Sequence, residues 1–230
     1  MRRILSVKNM GNSFEQSAQQ EQFERESGHD RFEAIKGFHL PIIRLGDQVS
    51  QDVVDAVEHA ALVTLHEMEI PLERFKGFDI KQLVNLEKKN ENGLFLFERV
   101  PDSDMQIPLL VVSSLPLYDF RGRETIALYE PKNTKIFLNL RRIEDAFKGS
   151  PGVGQGVMTG IVAVEEVIHF IQDKYWHREF RDGGNTDYQG EDFAEEHDTD
   201  PLEAEANKLK KQVFNVLYPE LQIKVRGIDY

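Results

Sequence analysis

Apolar positions recur along this chain in two rhythms, one of about 3.6 residues and one of two, and the changes of rhythm divide it into helical and extended parts. His39-Leu-Pro-Ile-Ile-Arg-Leu45 reads as a short strand or an extended lead-in. Over residues 48–68, Val53, Val54, Val57, Ala60, Ala61, Val63 and Leu65 share one side and Asp52, Asp55 and Glu58 the other, which predicts an amphipathic helix covering a sheet. A second helical piece follows Pro71 over residues 72–88 and gives way to the polar turn 88–93. The period then shortens. Residues 94–100, 107–113, 125–129 and 134–140 are rich in β-branched or aromatic side chains and bounded by Pro, Asp, Gly and Asn, so they read as strands. Glu130-Pro-Lys-Asn133 between the last two predicts an antiparallel hairpin. Residues 141–148 read as a short helix, and the glycine-rich segment 149–156 leads into a long apolar run from Met158 to Trp176. Asp200-Pro201, a capping acid before a proline, opens another helix reaching about residue 218. Alternation in residues 221–227 predicts a short terminal strand. Helices, then a small and mostly antiparallel sheet, then helices again make the expected fold α+β.

Residues 1–36 follow neither rhythm. Rich in Gln, Glu and Ser with isolated Phe14, Phe23 and Phe32, they read as a flexible N-terminal arm ahead of a single domain over 37–230. In a chain of 230 residues, 40% hydrophobic content is enough for a proper core. Cysteine is absent, which excludes disulfides and thiolate ligands, so any metal must be held by His, Asp, Glu or backbone oxygen. The formal net charge of −12 argues against general nucleic-acid binding, which needs a basic surface to release counterions. Met1-Arg-Arg-Ile-Leu-Ser-Val7 is too short in apolar residues for a secretory signal, and no apolar segment is long enough to span a bilayer, so no membrane partner is expected. A cytoplasmic or other intracellular setting is expected, and a virion component has the same composition.

The candidate chemistry lies in the long helix. Glu165 and His169 are four apart and Glu166 and His169 three apart, so all three project from one face, together with Gln172 and Asp173. Such a stripe can hold a metal, and it is also what the wet side of an amphipathic helix looks like. The helix from residue 202 changes the picture. With its apolar side drawn through Leu202, Ala206, Leu209, Val213 and Val216, Glu205 falls on the buried side and Glu203 points away. A carboxylate there needs a partner, and an ion held by His169 is the nearest candidate.

Glu165-Glu166-Val-Ile-His169-Phe-Ile-Gln172, followed by Pro201-Leu-Glu-Ala-Glu205-Ala-Asn207, resembles the HExxH…E arrangement of zinc metallopeptidases of the gluzincin kind. The resemblance covers roughly residues 125–217. It implies a zincin-like fold in which an active-site helix and a following helix pack a small sheet whose edge, near residues 125–140, holds an extended substrate by strand addition. It further implies a metal-dependent peptidase with Glu166 as general base and His169 and Glu205 as ligands. The family's first histidine is Glu165 here, so Glu165 would be the third ligand. Two carboxylates and one imidazole leave the ion less positive than a His2Glu set does, and any bound water less acidic. The expected ion is zinc, and oxygen-rich ligation moves preference towards Mn²⁺, Mg²⁺ or Ca²⁺. The alternative is a catalytically inactive zincin-fold binding or structural protein that acts through its arm and acidic surface, with or without the metal. Either way the expected partner is a peptide or protein.

Other features carry less. The 149–156 loop lacks both the dinucleotide fingerprint and the Gly-Lys-Ser/Thr of a P-loop. His59 and His66, seven apart, are too widely spaced to hold one ion readily and read as helix-surface histidines. Residues 181–200 hold eight acids and read as a solvated insert without the EF-hand spacing. Glu166-x-x-His169 also fits a di-iron carboxylate signature, but the only second copy, Glu26-Ser-Gly-His29, falls in the polar arm. His177, Tyr188 and His197 are candidate oxyanion donors by chain position alone.

Overall fold

The computed structural model describes residues 33–75, 88–89, 95–96, 107–118, 122, 124–131, 134–148, 153–176, 201–219, 224–225 and 228–229. The chain divides into two compact units, Met1–Gly37 and Phe38–Tyr230, and every strand and helix named below belongs to the second. The fold is α+β. Its centre is a four-stranded sheet of β1 (Ile42–Leu45), β4 (Leu109–Ser113), β5 (Ala127–Glu130) and β6 (Lys135–Asn139), in the order β1-β4-β6-β5. β4 lies parallel to both β1 and β6, with Leu110 opposite Ile42 and Ile136, whereas β5 runs antiparallel to β6 with Ala127 opposite Leu138. The expectation of a mostly antiparallel sheet is therefore corrected to a mixed one. The hairpin around Glu130 was legible locally, but a parallel neighbour needs a long crossover, and the chain between β1 and β4 supplies one. Every residue of β4 and of β6 is buried. Such near-continuous burial belongs to strands covered on both faces, not to the half-wet strands of an open antiparallel sheet.

Two separate strand pairs are also described: β2 (Lys88–Lys89) pairs with β3 (Phe95–Leu96), and β7 (Lys224–Val225) with β8 (Ile228–Asp229), both antiparallel. Lys88 and Lys89 are thus strand residues where the polar turn 88–93 was expected, and 90–93 lie outside the described residues. Residues 72–75 form a 3-10 turn at the start of the expected second helix, and the rest of that expectation, 76–87, lies outside the described residues.

Four α-helices are described in the second unit. α1 (Gln51–Glu67) is capped by Ser50, whose hydroxyl accepts from the Val53 amide at 3.3 Å. α2 (Leu140–Ala146) follows β6 directly, and the Asn139 side chain at the junction accepts from the Arg142 amide at 3.4 Å and donates to the Thr125 carbonyl at 2.9 Å. α3 (Gln155–Lys174) is the long apolar run of the sequence and packs against α1, α2, α4 (Pro201–Leu217), β5 and β6. The principal neighbour of α1 is α3, where the sequence pattern had pointed to the sheet. The two helices approach closely because Gly156 and Gly160 face α1: a Cβ on Gly156 would stand 3.1 Å from that of Ala56, and one on Gly160 3.3 Å from that of Ala60. Among the described residues no helix is long and apolar enough to cross a membrane.

Candidate metal centre

α3 presents Glu165, Glu166, His169 and Gln172 along one side, and α4 packs over part of it. The stripe is not a wet face, since His169 is 6% exposed and Gln172 fully buried. Burying these groups requires that their polar atoms find partners. His169 Nδ1 lies 3.0 Å from Gln172 Oε1. The Gln172 amide is oriented from its other end, where Nε2 donates to the Leu202 carbonyl at 3.1 Å and to Glu205 Oε2 at 2.8 Å. Both of those atoms are acceptors, so Oε1 faces His169, and the network assigns the proton to Nδ1. The remaining ring nitrogen, Nε2, faces Glu203 Oε2 at 3.5 Å. A histidine fixed in this way by a second residue has the orientation a metal ligand needs.

Glu165, His169 and Glu203 each bring one ligand atom into a group whose members lie within 4.8 Å of one another. Glu203 enters the site in place of the acid expected there. Glu205, named from the sequence as a ligand, is not in this group, and its carboxylate receives Gln172. The correction has a plain cause. The buried residues of α4 are Ala206, Lys210, Val213 and Phe214, so its inner face is turned away from the line drawn through Leu202, Leu209 and Val216. At about 100° per residue, Glu203 lies within about 40° of the centre of that face and Glu205 more than 100° from it. Lysine is a surface residue in most folds, but Lys210 is not. It is 5% exposed, and its Nζ donates to Glu165 Oε2 at 2.5 Å. The one available signal was its spacing of seven from Glu203, two turns along the same side.

The charges interact strongly. Burial pushes the Glu166 carboxyl up, and the neighbouring acids Glu165 and Glu203 add to this against the pull of His169 and Lys210, leaving it at about 8. Burial drags the His169 imidazolium down, but the hydrogen bond to Glu203 and the carboxylates of Glu166, Glu203 and Glu165 outweigh it, lifting the group to about 9. Near neutral pH these values leave Glu166 protonated and His169 charged. Two cations, His169 and Lys210, then stand among the acids Glu165 and Glu203.

The edge strand is tied to the same helix. Tyr129 of β5 donates its hydroxyl to Asp173 Oδ2 at 2.6 Å, and its ring meets Phe170 edge-on at 6.1 Å between centroids. Burial and the Asp173 carboxylate both push the phenol proton's pKa upward, so Tyr129 stays a donor. Among the described residues no strand pairs with the other edge of β5.

Among the described residues, His59 and His66 on α1 belong to no metal-capable group. His177, Tyr188, His197, the acidic stretch 181–200 and Glu26–His29 lie outside the described residues. Comparison of the chain with protein-family models, with curated proteins and with solved structures finds no match.

Proposed function

We propose that the chain is a zincin-like, metal-dependent hydrolase of peptide bonds, with Glu165, His169 and Glu203 as ligands and Glu166 as general base. One observation carries the reading: an imidazole whose Nδ1 is already held by Gln172 turns Nε2 towards a carboxylate, and a second carboxylate completes a three-donor set within 4.8 Å. Three protein donors with further coordination left for solvent or substrate suit zinc in a catalytic role, and two oxygens to one nitrogen also suit manganese. When bound, such a cation supplies Lewis acidity towards a water and towards the scissile carbonyl. The chain does the rest. Glu166, next in sequence to the ligand Glu165, takes the proton of the attacking water and returns it to the leaving amine. Burial raises the proton affinity of this carboxyl, which makes its ionised form a stronger base. β5 offers the main-chain edge on which an extended peptide can lie, and the Tyr129–Asp173 hydrogen bond fixes the position of that edge against α3.

A second reading, a zincin-fold protein without hydrolysis that binds partners through its arm and acidic surface, is favoured by one observation. The Lys210 ammonium lies on Glu165 and already supplies positive charge within the ligand set. The two separate on metal analysis of the purified protein followed by hydrolysis of casein or a peptide, with Glu166→Gln as control. The peptidase reading expects one bound Zn²⁺ or Mn²⁺ per chain and a loss of about 10²-fold or more in hydrolysis for the variant. A wild type that takes up no divalent ion and cleaves nothing in the presence of either metal supports the second reading and ends the first.

A further inference from the structure

The side chains of α4 that face α3 include a ligand and, two turns on, a cation aimed at another ligand of the same set. Lys210 is buried, and a buried ammonium is sustained only by a partner of opposite charge. That partner is Glu165 Oε2, 2.5 Å away, and Glu165 is one of the three donors that converge at the site. Glu203, seven residues before Lys210, supplies another donor from the same helix. The same carboxylate therefore has two claimants, the side chain of Lys210 and any divalent ion. The claims are unequal in kind: Lys210 is held by the fold at high effective concentration, whereas the ion comes from solution. An ion drawing Glu165 into its shell either displaces the ammonium or binds with a positive charge a few ångströms away, and both lower its affinity.

We propose that Lys210 is an internal counter-cation that competes with a divalent metal ion for Glu165 and so sets how tightly this centre holds metal. The proposal rests on the ligand set given under the proposed function. It sets metal uptake at this site against the Lys210–Glu165 contact, and by linkage a bound metal weakens that contact as much as the contact weakens the metal.

The test is the affinity of the full chain for Zn²⁺ and for Mn²⁺, each alone, by titration calorimetry after chelator treatment and dialysis. Lys210→Met removes the charge and keeps an unbranched apolar stem, while Lys210→Arg keeps the charge. Binding is expected to tighten about 10- to 100-fold in Lys210→Met and to stay within about threefold of wild type in Lys210→Arg. Should Lys210→Met not fold, as judged by circular dichroism, Lys210→Gln reads the same quantity with a polar group against Glu165. Equal affinities in the wild type and the neutral variant overturn the competition and leave the ligand set standing. Absence of binding in every variant overturns both, and Glu203→Gln, which removes a ligand without touching Lys210, then gives the same blank trace as the wild type.

Discussion

His169 and Glu166 hold their protons more tightly in the folded chain than free side chains do, and the sign of the consequence can be worked out. Glu166 moves from 4.5 to about 8 and His169 from 6.5 to about 9. Between 4.5 and about 8 for the first, and between 6.5 and about 9 for the second, the folded chain binds more protons than the unfolded one, so stability falls as pH rises. Both contributions are complete below the unfolded values and are lost as pH passes through the folded ones. Chelator-treated protein is expected to melt at progressively lower temperature from pH 5 to pH 9, and Glu166→Gln, which cannot ionise, to show a shallower slope over the lower part of that range. Thermal melts in a buffer series check this, and an identical slope in the variant would refute it. At this scale the sequence was informative where the groups share one helix: the spacing of Glu165, Glu166 and His169 placed them together correctly. It was not informative about the partner helix, where the choice between Glu203 and Glu205 depended on the phase of α4, and one buried lysine shifted the apparent phase.

Elements meet here through small residues and caps as much as through large apolar ones. α3 can approach α1 closely because Gly156 and Gly160 carry no side chain, and a Cβ on Gly160 would also stand 3.0 Å from the Tyr218 hydroxyl. Gly160→Leu puts a branched chain into that contact, where neither backbone can yield easily. It is expected to cost about 1–3 kcal/mol through overpacking, less whatever the better helix former returns, and to be read as a lower denaturant midpoint with an unchanged m-value. A variant as stable as wild type would mean that the helices can separate without loss. The helices themselves were plain from their 3.6-residue rhythm, and α1, α3 and α4 all begin within about four residues of where the pattern starts them. Strand pairing was less legible. Leu109-Leu-Val-Val112 could be recognised as a strand, but the partners of Val111 are 68 residues earlier at Ile43 and 26 later at Phe137, and nothing local distinguishes a parallel partner from an antiparallel one.

At the scale of the unit from Phe38 to Tyr230, α3 is the element through which the others are connected, for it packs against α1, α2, α4, β5 and β6 while carrying two of the three donors. Trp176, the only tryptophan, lies just past its end, with its amide donating to the Ile171 carbonyl at 3.1 Å. The adjacent Tyr175 meets Phe170 edge-on at 5.8 Å, and Phe170 in turn meets Tyr129 of β5. Freeing the end of α3 would therefore strip an aromatic contact from the sheet edge and loosen the helix that holds His169, and neither loss can stay local when His169 is linked through Gln172 to α4. Unfolding of this unit should accordingly be a single cooperative event, with the site melting together with the sheet. Tryptophan emission, which reports the end of α3, and far-UV ellipticity, which reports all the helices, are expected to give one shared midpoint. A divalent ion that binds only the folded centre is expected to raise both midpoints by the same amount, as mass action requires of a ligand for the whole cooperative unit. An emission change that precedes the loss of ellipticity would show that α3 and its donors come apart while the rest of the helices stand, and the centre would then be a locally ordered appendage to the core.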